Sequence, residues 1–160
     1  MAHPNFVAGQ GTSSIEALPN LREAHNRRQC FENMKLLTLA LLLYEKDHGK
    51  LPDGDWRIAV KPYLGENAER YFRCPSHPGL ADGKTTYAMV SGVPNVTPSP
   101  TQILLVELRE PQRFGEGDGR IPFEQATFET GLGSNHTGGI NVGLRSGAVR
   151  SMNATINSEV

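Results

Sequence analysis

Residues 17–52 read ALPNLREAHNRRQCFENMKLLTLALLLYEKDHGKLP, and this stretch decides the fold. After Pro19 neither glycine nor proline occurs until Gly49, which is placed to cap a helix C-terminus. Cys30, Met34, Leu37, Leu41 and Tyr44 recur at spacings of four, three, four and three, one face of an α-helix. Leu36, Leu39, Ala40 and Leu43 widen that stripe, so residues 34–44 are expected to be the buried half. The preceding LREAHNRRQCFEN is largely polar and is expected to be exposed.

Working towards the N-terminus, Ser13 and Ser14 are candidate N-caps, with Glu16 in the favourable first turn. Pro19 is better tolerated at the first helical position than inside a helix. The expectation is a spine helix over 14–49, regular from at or just before Pro19, after a disordered lead-in over residues 1–13. From Pro19 to His48 the helix would be about 45 Å long. A compact chain of this length is only about 39 Å across. The polar half is therefore expected to project from the body.

Working towards the C-terminus, residues 50–84 are loop-rich, with a short helix expected around Trp56–Leu64. Strands are expected over Thr85–Val90, Gln102–Leu108, Gly139–Leu144 and Val149–Met152. A two-residue Ser146-Gly147 turn would set Leu144 opposite Val149 and Val142 opposite Ser151. Residues 111–133, rich in glycine and proline, read as a long surface loop. The fold class is α+β: one long N-terminal helix on a sheet of three or four antiparallel strands, with 14–160 as a single domain.

The 160 residues carry 16 basic and 17 acidic side chains, a net charge of −1 with the signs interleaved. Nothing in that balance points to nucleic acid. The longest apolar run, Leu36–Tyr44, is broken by Thr38 and is far short of the ~20 residues needed to span a bilayer. His3, His25, His48, His77 and His136 form no pair at metal-ligand spacing. Nucleophile-elbow, Walker and dinucleotide motifs are absent from the sequence, so no catalytic residue, cofactor or small-molecule substrate is expected. Asp53-Gly54-Asp55 and Glu116-Gly117-Asp118-Gly119 offer oxygen ligands for calcium, without EF-hand spacing. Cys30 and Cys74 are read either as a disulfide or as two reduced core residues.

Several landmarks, taken in order, carry a family resemblance. Leu18-Pro19, Arg22-Glu23-Ala24, Arg27-Arg28, Cys30, Asn33, Lys35, Leu39-Ala40, Tyr44, Gly49 and Pro52 fall in register with the helix of the pilin-like (pseudopilin-like) proteins abundant in planctomycete bacteria. Trp56-Arg57, Pro62-Tyr63-Leu64 and Phe72-Arg73-Cys74-Pro75-Ser76 resemble that family's SWR, PYL and CPS segments, and Thr101–Glu107 resembles its T-x-I-L-L-V-E strand. Ser134–Val142 is similar to its S-x-H-x-GG-x-N-V, and with Ser146-Gly147 it matches the terminal H-X9-DG signature, except that serine replaces the aspartate. Residues 1–13 do not match the family's prepilin leader and apolar anchor.

The resemblance implies a non-catalytic structural subunit of a type II secretion-like or type IV pilus-like assembly. It implies a periplasmic or cell-surface location, membrane-anchored in the native context, with the chain as given soluble. It also implies a Cys30–Cys74 disulfide, since an envelope compartment is oxidising. Such a bridge would close a loop of about 45 residues and contribute at most ~4 kcal/mol. His136, Gly138, Gly139, Asn141, Ser146 and Gly147 become signature residues. Leu21, Ala24, Arg28 and Phe31 become the helix face that packs on other pilin-like subunits or envelope proteins, and loop 111–133 a partner contact. Without the apolar anchor, the chain alone is expected to be monomeric or weakly associated. The alternative is a cell-envelope ligand- or calcium-binding module built on the same fold.

Overall fold

The computed structural model describes residues 4–77, 83–91, 99–113, 117–123, 126, 132–133 and 139–152, with residues 4–18 and 111–113 as backbone alone. Helix α1 spans Pro4–His48 and helix α2 spans Trp56–Leu64, followed by a 3-10 turn at Ala68–Phe72. The strands are β1 (Lys84–Ser91), β2 (Ile103–Arg113), β3 (Arg120–Pro122), β4 (Ile140–Leu144) and β5 (Val149–Met152). They form one sheet in the order β3-β1-β2-β4-β5. The β1–β3 pair is parallel and the other three pairs are antiparallel. The expected α+β architecture holds. The sheet, however, is five-stranded and mixed instead of three- or four-stranded and antiparallel.

Helix α1 ends as its sequence dictates. The Gly49 N–H donates to the Glu45 carbonyl at 2.7 Å with φ at 78°, a left-handed stop that glycine takes without strain. Its start differs from expectation, because the helical backbone begins at Pro4 and Pro19 lies inside it. A proline penalty of about 3 kcal/mol is local. Good helix formers on both sides, Ala17-Leu18 before and Leu21–Ala24 after, let regular geometry resume.

Only one side of α1 grips the sheet. Cys30, Met34, Leu37, Ala40 and Leu41 join Trp56, Val60, Phe72, Cys74, Tyr87, Met89 and Leu105 in one buried cluster. Leu36, Leu39 and Leu43 do not join it; they stay 40, 39 and 46% exposed. At 100° per residue they lie roughly opposite the Cys30–Leu37–Leu41 line, so the expected single broad stripe is two separate faces. Helix and sheet approach closely at Gly143. A Cβ there would run into the Thr38 hydroxyl, which itself donates to the Met34 carbonyl at 2.7 Å.

The sheet's other face holds a second core of Ala88, Val90, Val106, Leu108, Ile121, Leu132, Ile140, Val142 and Leu144. Part of that core is supplied by the stretch expected to be a surface loop. Within 111–133, Arg120–Pro122 is strand β3, Ile121 and Leu132 are buried, and Ala126 packs on the cluster. Leu132 bridges Leu108, and the Gly133 N–H donates to the Glu107 carbonyl. Glycine and proline marked the turns there but concealed the apolar residues between them.

The β4–β5 hairpin also departs from expectation by one position. Gly143 faces Val149 and Asn141 faces Ser151. The loop has three residues, Arg145-Ser146-Gly147. The Leu144 carbonyl accepts from the Gly147 N–H at 2.8 Å, the Leu144 N–H donates to the Ala148 carbonyl at 2.8 Å, and Gly147 has φ at 87°. This is a type I turn closed by a left-handed glycine, the common three-residue solution.

Candidate functional site

Two surfaces merit attention, and both belong to α1. The first is its free half and outward side. Leu21, Ala24 and Arg28 are exposed, Leu21 to 61%. On an ideal helix Leu21 and Arg28 lie on the same side as Leu36, Leu39 and Leu43, so the outward side carries leucines at both ends. Phe31 turns away from this line. It is half-buried in a cleft beneath the helix.

That cleft is the second surface. It lies beside the Gly143 contact, at the start of β4. It encloses about 400 Å³ lined by Arg27, Arg28, Phe31 and Glu32 above, and by Gly139, Asn141 and Ser151 below. Its floor is fixed from beneath. Glu107 on β2 is buried, and its carboxylate accepts the Asn141 N–H at 2.7 Å. The Ser151 hydroxyl donates to Asn141 Oδ1 at 2.7 Å. Two of the sequence landmarks, the end of I-L-L-V-E and the GG-x-N-V, thus meet at one carboxylate.

The upper end of the cleft region is secured covalently. Cys30 and Cys74 are disulfide-bonded, with Cα atoms 5.2 Å apart. The adjacent Asn33 donates to the Arg73 carbonyl at 2.8 Å and accepts from Gln29. Below Asn33 lies Tyr87. Its hydroxyl is buried with no hydrogen bond of good geometry, although the Asn33 side chain lies near enough to oppose part of the pKa rise. Burial first, and then the Glu107 charge, hold that hydroxyl far above the ordinary tyrosine pKa.

The remaining signature residues serve the hairpin. The Ser146 N–H donates to the Pro100 carbonyl at 2.9 Å, and its hydroxyl accepts the Ala148 N–H at 3.3 Å. Serine thus supplies the side-chain acceptor that an aspartate would supply in such a turn. Gly147 sits against Leu39 and Leu42 of α1. Beside it, Arg145 clamps both Glu45 oxygens at 2.6 and 2.7 Å and donates to Gln102 at 2.9 Å. His136 and Gly138 lie outside the described residues.

Of the carboxylates considered for calcium, Glu116 lies outside the described residues and the other three are committed to internal cations. Asp53 pairs with Lys50, Asp118 with Arg120, and Asp55 holds Arg57 at 2.7 and 2.8 Å while capping α2 through the Arg57 N–H. Arg57 is fully buried, and the neighbouring Trp56 Nε1–H donates to the Gly119 carbonyl at 2.7 Å. The Trp-Arg landmark is therefore a clasp between α2 and the turn before β3. As lining of a cleft, Arg27, Glu32 and Ser151 are not announced by the sequence. They become neighbours only through the helix–sheet crossing, so no local pattern announces them. Among the described residues no group of three or more His, Cys, Asp or Glu is gathered for a metal, and no helix is long and apolar enough to cross a membrane.

Comparison with protein-family models, with curated proteins and with solved structures finds no match.

Proposed function

We propose that this chain is a non-catalytic structural subunit, of the kind found in type II secretion-like or type IV pilus-like assemblies, and that it packs against neighbouring subunits through the outward side of α1. The observation that carries this reading is the second apolar face of the helix. Leu36, Leu39 and Leu43 are exposed on the same rod whose opposite side is fully used by the sheet. A monomer gains nothing from displaying three leucines at helical spacing, whereas a bundle of such rods buries them. The bridged Cys30–Cys74 pair supports an oxidising compartment, hence the periplasm or cell surface.

The face is small, so the isolated chain should self-associate only weakly. The test is oxidative cross-linking, at high protein concentration, of variants with one added cysteine and the native bridge intact. Leu39→Cys should form covalent dimers in a concentration-dependent manner. Ile58→Cys, at an even more exposed apolar site on α2, should not. Equal cross-linking at both sites, or none at Leu39→Cys, would refute packing through this face.

A further inference from the structure

We propose that the cleft between α1 and the β4–β5 hairpin binds a small monocarboxylate, of the size and character of a hexuronic acid. Its volume of about 400 Å³ falls within the range of small-molecule sites. The lining is charged in a specific way. Arg27 and Arg28 reach it from the helix, and neither has a hydrogen bond or ion pair among the described residues. Two guanidinium groups without a carboxylate partner, at the mouth of one cleft, are well suited to a planar oxyanion.

The floor adds a neutral donor. Asn141 is only 7% exposed, its N–H is taken by Glu107, and its Oδ1 is taken by the Ser151 hydroxyl. These two bonds fix the orientation of the carboxamide and leave Nδ2 without a protein partner among the described residues. An oriented amide donor on the wall of an open cleft, free of protein acceptors among the described residues, is available to a ligand or to water.

Charge selects the class of anion. Among the described lining residues, two arginines and Glu32 give a formal balance of one positive charge. A monocarboxylate neutralises that balance, whereas a phosphate dianion is left underneutralised and is repelled by Glu32. Half-buried Phe31 supplies an apolar wall against which the C–H face of a sugar ring can lie. Arg28 borders both this cleft and the outward side of the helix, whereas Arg27, Phe31 and Asn141 belong to the cleft, so binding here stands apart from subunit packing.

Sodium glucuronate titrated into the ¹⁵N-labelled chain tests it, with glucose and inorganic phosphate as comparators. Glucuronate should shift the Asn141 side-chain amide and the Gly139 backbone amide along saturable curves, with a dissociation constant on the order of 1 mM. Glucose and phosphate should bind at least about tenfold more weakly. The double variant Arg27→Ala/Arg28→Ala changes two exposed side chains, keeps the fold, and should weaken glucuronate by at least about tenfold. Glu32→Gln should narrow the gap between phosphate and glucuronate. Shifts that do not saturate, equal binding of glucose or phosphate, or full binding by the double variant would each overturn the assignment.

Discussion

The two halves of α1 share one helical geometry and meet opposite surroundings. From Cys30 to Tyr44 the helix lies on the sheet and supplies much of the first core, while from Pro19 to Gln29 nearly every side chain is exposed. Helical propensity cannot explain both. The distal half is stabilised by burial, at about 25 cal/mol per Å² of apolar surface removed from water. The proximal half rests on continuity with it, because elongating an existing helix is far easier than nucleating one. A rod of this kind is rigid where it must hold and available where it must reach.

Mutation separates the two halves by magnitude. Cys30→Ser, or reduction of the bridge, should cost the most, about 4 kcal/mol on the chain-entropy estimate for a loop of this length, read as a lower urea midpoint. Leu41→Ala in the gripped half follows, at about 3 kcal/mol, since the site is fully buried and cannot collapse around a cavity.

Tyr87→Phe, directly beneath the same half, should change stability by no more than about 1 kcal/mol near neutral pH, because the hydroxyl it removes makes no hydrogen bond of good geometry. Its effect is on the alkaline side. The folded pKa of Tyr87 is raised, so the fold favours the protonated phenol, and its contribution is fully present below about pH 10 and falls as pH rises above that. The Phe variant should lose less stability than the parent in melts above pH 10. Smallest of all, Leu21→Ala should stay within about 0.5 kcal/mol, and amides of 19–29 should exchange much faster than those of 34–44. A loss at Leu21 as large as that at Leu41 would erase the distinction between the halves.

Much of this plan was legible in the sequence, and the exceptions share a cause. Where a signal is local it was read correctly. Gly49 stops α1, Trp56–Leu64 is α2, and Cys30, Met34, Leu37 and Leu41 are core. Where tertiary contact decides, local reading failed. Leu36, Leu39 and Leu43 look like core by composition, but their angular position puts them outside. The hairpin register depended on Gly147 closing a three-residue loop, which Ser146-Gly147 does not distinguish from a two-residue turn. Strand β3 is too short to show a period, and its parallel partner β1 lies some thirty residues away in the chain. The cleft was the least legible, since Arg27 and Asn141 meet only through the whole fold.

The position of the disulfide has a mechanical consequence. Cys30 is the first buried residue of the rod, with a Ser76–Glu23 hydrogen bond ahead of it, and Cys74 belongs to the body. Tension applied to the amino end therefore arrives at a covalent rivet before it can peel the helix from the sheet turn by turn. Because the rivet spans 44 positions, a chain drawn out from both ends would be about 150 Å shorter than its reduced counterpart.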